Sequence, residues 1–121
     1  MDYHQVIAKD AFEQAYQTAS AEFAVKAMML KHSPASIDNL TDYIDAGRKF
    51  IEVCLSGHDP LLTTQLRMWF RRNLVLNSSR GSANLKFKHI CRAELEKLDK
   101  HLKIVFSHYG SNITPLLPQV R

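Results

Sequence analysis

At 121 residues, 45% of them apolar and 23% charged, the chain is long enough for one buried core and too short for two, and this balance excludes a disordered polar segment. No run approaches the roughly 20 apolar residues that a membrane span requires, because Lys, Arg, Asp or Glu interrupts every apolar cluster. Met1 to Asp10 lacks the apolar stretch and small-residue cleavage site of a signal peptide, and Cys54 and Cys91 sit on apolar faces, so the expected setting is a reduced cytoplasm.

Asp2 with Gln5 has the form of a capping pair, and Phe12, Ala15, Ala19, Phe23 and Ala27 recur at helical spacing until Ser33-Pro34. This predicts a first helix of about 30 residues, about 45 Å long at 1.5 Å per residue. A helix that long outreaches a compact bundle. It must kink, overhang, wrap its own partners, or lay its alanine-lined side against a second copy as a homodimer.

Ser36 is the expected N-cap of a second helix, whose apolar face is Ile37, Leu40, Ile44, Gly47, Ile51, Cys54 and Leu55 and whose stop is Gly57. Its Asp38, Asp42 and Asp45 precede Arg48 and Lys49, an order that complements the helix dipole and explains these carboxylates without catalysis. Asp59-Pro60 reads as the cap and first residue of a third helix. Along it Leu62, Leu66, Trp69, Asn73 and Leu76 share the expected core face, with Phe70 at its border and Arg67 and Arg71 on the other side. Asn73 reads as a core amide with a polar partner.

Asn77 to Asn84, rich in Ser, Asn and Gly around Arg80-Gly81, reads as a long exposed connection. In the last helix Cys91, Leu95, Leu98, Leu102, Val105 and Tyr109 alternate steps of four and three, the spacing of a coiled-coil-like seam. Gly110 is the expected stop, and Pro115 and Pro118 keep residues 111–121 an irregular tail. The fold class is therefore all-α, a single domain over residues 1–110 built as a bundle of four main helices with a long first helix.

Charge divides the chain. Residues 1–60 hold five Lys or Arg against nine Asp or Glu, a net of −4, and residues 61–121 hold eleven against three, a net of +8. Between Asp59 and Glu94 there is no acid, and Arg67, Arg71, Arg72, Arg80, Lys86, Lys88 and Arg92 all fall there. Arginine binds carboxylate or phosphate through two parallel hydrogen bonds, so these seven are the candidate partner-binding residues and the expected partner is an acidic protein or a nucleic acid. On nucleic acid the contacts would be phosphate-directed and salt-sensitive, and an exposed Phe87 could stack on unpaired bases.

Catalytic patterns are weak by comparison. Cys54 with His58 and His89 with Cys91 supply zinc-ligand types, but residues 89 and 91 point in different directions on a helix and His58 follows the Gly57 stop. His101 and His108 lie two turns apart, and Glu94, Glu96 and Asp99 crowd one short stretch instead of converging from separate helices. Arg80 to His89 and Arg92 to His101 are both nine apart, which is not the closer Arg-to-His spacing of helical ribonuclease toxins. No phosphate-binding glycine loop, nucleophile elbow or dinucleotide fingerprint occurs.

The expectation is thus a non-enzymatic protein of adaptor, inhibitor or immunity type, with no cofactor and no metal. The alternative is a DNA- or RNA-binding accessory factor that uses the same cations. Leu66-Arg67-Met68-Trp69-Phe70-Arg71 with Leu74, Ser82 and Asn84-Leu85 resembles a segment of the theta subunit of bacterial replicative polymerase. That resemblance covers this stretch alone, and what it implies is a small helical accessory protein.

Overall fold

A computed structural model of the chain describes residues 3–33, 35–80 and 84–109, with side chains for 7–33, 35–79 and 84–107. It is an all-α four-helix bundle: α1 Tyr3–His32, α2 Ile37–Ser56, α3 Pro60–Arg80 and α4 Leu85–Tyr109, the first the longest. Among the described residues no helix is long and apolar enough to cross a membrane. Asp2, Pro34, Gly110 and the expected tail 111–121 lie outside the described residues.

The helix starts follow their capping chemistry. Ser36 has extended backbone and its hydroxyl accepts from the Asn39 N–H at 3.2 Å. The Asp59 carboxylate accepts from the Leu62 N–H at 3.0 Å, and the Asn84 side-chain oxygen accepts from the Phe87 N–H at 3.2 Å. α2 ends at Gly57 as expected, but without the left-handed backbone usual for a glycine cap. Gly57 has ordinary right-handed backbone, and the left-handed residue is His58, with φ 55. Gly57 is needed for a different reason: a Cβ there would stand 2.6 Å from the Phe12 ring, so the missing side chain lets α1 close over the end of α2.

The core is organised around α2. Its Leu40, Tyr43, Ile44, Phe50 and Cys54 meet Ala19, Phe23 and Leu30 of α1, Phe70 and Leu74 of α3, and Phe87, Cys91 and Leu98 of α4. Phe23 stacks on Tyr43 at 4.9 Å between ring centroids and meets Phe50 and Phe70 edge-on, each at 5.8 Å. A Cβ on Gly47 would reach within 2.6 Å of the Phe70 ring, so this glycine sets how closely α3 approaches α2.

The buried face of α3 is not the expected one. Phe70 is fully buried, whereas Trp69 is 62% exposed and Leu76 is half exposed. The core stripe runs Thr63, Leu66, Phe70, Leu74, Asn77. Its polar members hide from an apolarity count because each donates to a carbonyl one turn back. Thr63 donates to the Asp59 carbonyl at 2.9 Å, and the Asn77 amide nitrogen donates to the Asn73 carbonyl at 2.7 Å. The same local bonds carry α3 through Asn77 to Arg80, the stretch expected to be connection, with Ser79 donating to the Val75 carbonyl at 3.4 Å. Elsewhere Ala15 and Leu55 are exposed, off the faces expected for them. The seam of α4 buries Cys91, Leu98 and Leu102, half-buries Leu95 and Val105, and gains Phe87.

Candidate functional site

The seven candidate cations occupy distinct positions. Arg71 donates from Nε to the Asp99 carboxylate at 2.6 Å, joining α3 to α4, so its charge is balanced within the chain. Arg67, one turn earlier on the same side, is half-buried, and burial pulls its guanidinium down from its ordinary value. Arg72 is exposed and shares the side of α3 that carries Trp69 and Leu76. Arg80 closes α3, and its side chain lies outside the described residues. On α4, Lys88 is half-buried and Arg92, one turn on, is exposed along the same side. Lys86 is exposed on another. The fold therefore puts Arg67 with Arg71 and Lys88 with Arg92, and separates Arg72 and Lys86 from both pairs.

Acid placement changes the electrostatics more than cation placement does. Glu94, 5% exposed, accepts from Arg48 Nε at 3.2 Å and Nη2 at 2.6 Å. This two-point clamp binds α2 to α4, and the hydrogen bond to Glu94 raises the Arg48 guanidinium further. A buried carboxylate needs such a partner. With Asp99 held by Arg71, two of the three acids of the second half are engaged internally, leaving Glu96. Against it, Lys86, Arg92, Lys97, Lys100 and Lys103 are all exposed on α4. Sequence reasoning missed the last three because it took the acid-free interval ending at Glu94 as the boundary of the basic region. The signal was there: Lys97, Lys100 and Lys103 fall between the seam residues Leu95, Leu98, Leu102 and Val105 and so face outward.

Phe87 corrects an expectation. It is fully buried and lies in the core, out of reach of a nucleic-acid base. Cys54 and Cys91 are free and buried. Burial pushes the Cys91 thiol up to about 11, and burial, with the nearby Asp59 charge, raises Cys54 as well, so both hold their protons at neutral pH. His101 packs its Nδ1 2.8 Å from the Lys97 carbonyl. Among the described residues no three His, Cys, Asp or Glu side chains group as metal ligands do.

A second feature had no counterpart in the sequence reading. Between α1 and α3 the bundle is open, leaving a hollow of about 520 Å³ with Phe23, Phe50 and Cys54 as its floor and Leu62, Leu66 and Trp69 along one wall. The α1 wall is low because Ser20, Ala24 and Ala27 are small. The groove continues into a second hollow of about 440 Å³ beside Lys31, His32, Leu76 and Asn77. Asn77 is 9% exposed, and its side-chain oxygen is buried without a hydrogen-bond donor among the described residues. Asn73 lines both hollows and neighbours the buried Tyr43 phenol without reaching hydrogen-bond geometry with it. Burial raises that phenol well above its ordinary value, and the Asn73 amide offsets only part of the rise.

No protein-family model matches this chain, and no curated protein or solved structure matches it.

Proposed function

We propose that the chain is a non-enzymatic binding protein of adaptor, inhibitor or immunity type that holds an acidic protein partner against the outer face of α4. One observation carries this reading. Two of the three carboxylates of the basic half are spent inside the molecule, Glu94 on Arg48 and Asp99 on Arg71, which leaves Glu96 alone among the exposed Lys86, Arg92, Lys97, Lys100 and Lys103. A cationic surface of that kind speeds encounter with an acidic partner and holds it in register. Binding takes place in the cytoplasm, where Cys54 and Cys91 remain reduced. The long α1, with small side chains along its length, supplies a second surface, for another copy of the chain.

The test is a fluorescence-anisotropy titration of a labelled glutamate-rich peptide and a labelled DNA oligonucleotide, each at low and high salt. Peptide binding that weakens by about tenfold or more in the Arg92→Glu, Lys100→Glu double variant, with helicity retained, is the expected result. Tighter binding of the oligonucleotide with a steep salt slope would replace this reading by the nucleic-acid one, in which the same cations contact phosphates.

A further inference from the structure

We infer that the open α1–α3 groove is closed by a second copy of this chain, docked antiparallel about a two-fold axis near Trp69. This rests on the self-association reading of α1 and is independent of the cationic face of α4.

The first argument is what the groove lacks. Its apolar floor of Phe23, Phe50 and Cys54 lies at the bottom of an open hollow, and the indole at its rim is 62% exposed. Leu76 and Met28, further along the same groove, are 50% and 61% exposed. Apolar side chains gathered on one face of a helical pair mark a surface that another molecule covers.

The second argument is charge, and it selects the occupant. Because α1, α2 and α3 run alternately, α1 and α3 are parallel, with Tyr16 and Ser20 opposite Leu62 at one end and Lys31 opposite Asn77 at the other. On the groove face of α1, Glu13 lies two turns before Ser20 and Lys31 one turn after Ala27, both exposed. On α3, Asp59 caps the start, beside Cys54. Glu13 and Asp59 therefore stand beyond one end of the groove and Lys31 at the other.

A two-fold contact requires a surface complementary to itself. An antiparallel second copy meets that requirement, setting the Glu13 and Asp59 end of each chain against the Lys31 end of the other.

The third argument is position and size. Trp69 is close to the middle of α3, so the axis brings the tryptophans of both copies to the centre of the contact, where large aromatic anchors contribute most. The low wall of Ser20, Ala24 and Ala27 leaves room for the incoming ring. A face about 30 Å long and about 20 Å wide buries about 1,200 Å² over both copies, which reaches the range of specific dimers.

Sedimentation equilibrium of the full chain tests this with paired charge reversals at exposed sites, helicity being checked by circular dichroism. The wild-type chain should have a two-chain mass. Glu13→Lys and Lys31→Glu should each weaken association by about tenfold or more, since each sets two like-charged pairs face to face. An equimolar mixture of the two variants, and the Glu13→Lys, Lys31→Glu double variant, should both recover the two-chain mass. A one-chain mass for the wild type at millimolar concentration would overturn both self-association and the groove contact. A two-chain mass indifferent to the single reversals would leave self-association standing and overturn the groove as its site.

Discussion

Phe70 and Trp69 are neighbours in sequence and opposites in the fold: the first is fully buried on α2, the second stands 62% exposed at the rim of the α1–α3 groove. The side of the bundle where α2 meets α3 and α4 is closed at every level, by the Phe23, Tyr43 and Phe70 rings, by Gly47 against Phe70, and by the Arg48–Glu94 clamp. The side between α1 and α3 has the same kinds of side chains and no such closure. The difference teaches that aromatic character alone does not assign a residue to the core. Close approach of two backbones does, and here one glycine on α2 decides which aromatic ring of α3 receives it.

The largest expected effect contrasts those two rings directly. Phe70→Ala should lower unfolding stability by about 3 to 5 kcal/mol, as loss of a buried phenyl does. Trp69→Ala should change it by less than about 1 kcal/mol when the chain is dilute enough to be a monomer. Urea unfolding of both variants at one low concentration makes the measurement, and equal losses would break the distinction between a closed and an open side.

A smaller effect follows from the buried protonated groups. The Cys91 thiol is held at about 11 in the fold, and Cys54 and Tyr43 are also raised. In the unfolded chain a cysteine ionises near its ordinary value of about 8.5. A raised folded value means the native state binds the proton more tightly, so its stabilising contribution is whole below that ordinary value and disappears as pH climbs through about 11. The urea midpoint should therefore fall between those limits, and Cys91→Ala should flatten part of the fall. A midpoint constant across that interval would mean that the thiol is accessible to water.

How much of this was legible beforehand depends on which force set each feature. The helix count, the Ser36 and Asp59 caps and the α4 seam are local chemistry, and the chain displays them openly. The face of α3 was misread because Thr63 and Asn77 are buried with their donors on carbonyls one turn back, so the true stripe is less apolar than the false one beside it. Asn77 to Arg80 was misread as connection for the same reason. Of the basic surface, the charge surplus was plain. Its location was not, because which cations are neutralised depends on contacts between residues far apart in sequence, Arg48 with Glu94 and Arg71 with Asp99. The groove was invisible to any pattern, since it is a space left between two helices that each look complete.

Trp69 is the only tryptophan in the chain, so its emission reports on that groove without interference from another indole. The most direct measurement is its emission maximum, and its quenching by iodide, followed as the protein is diluted from high to very low concentration. An open groove that a second copy fills predicts blue-shifted, protected emission at high concentration and red-shifted, readily quenched emission at low. Emission that stays blue and protected in samples shown by light scattering to be single chains would contradict an open α1–α3 side.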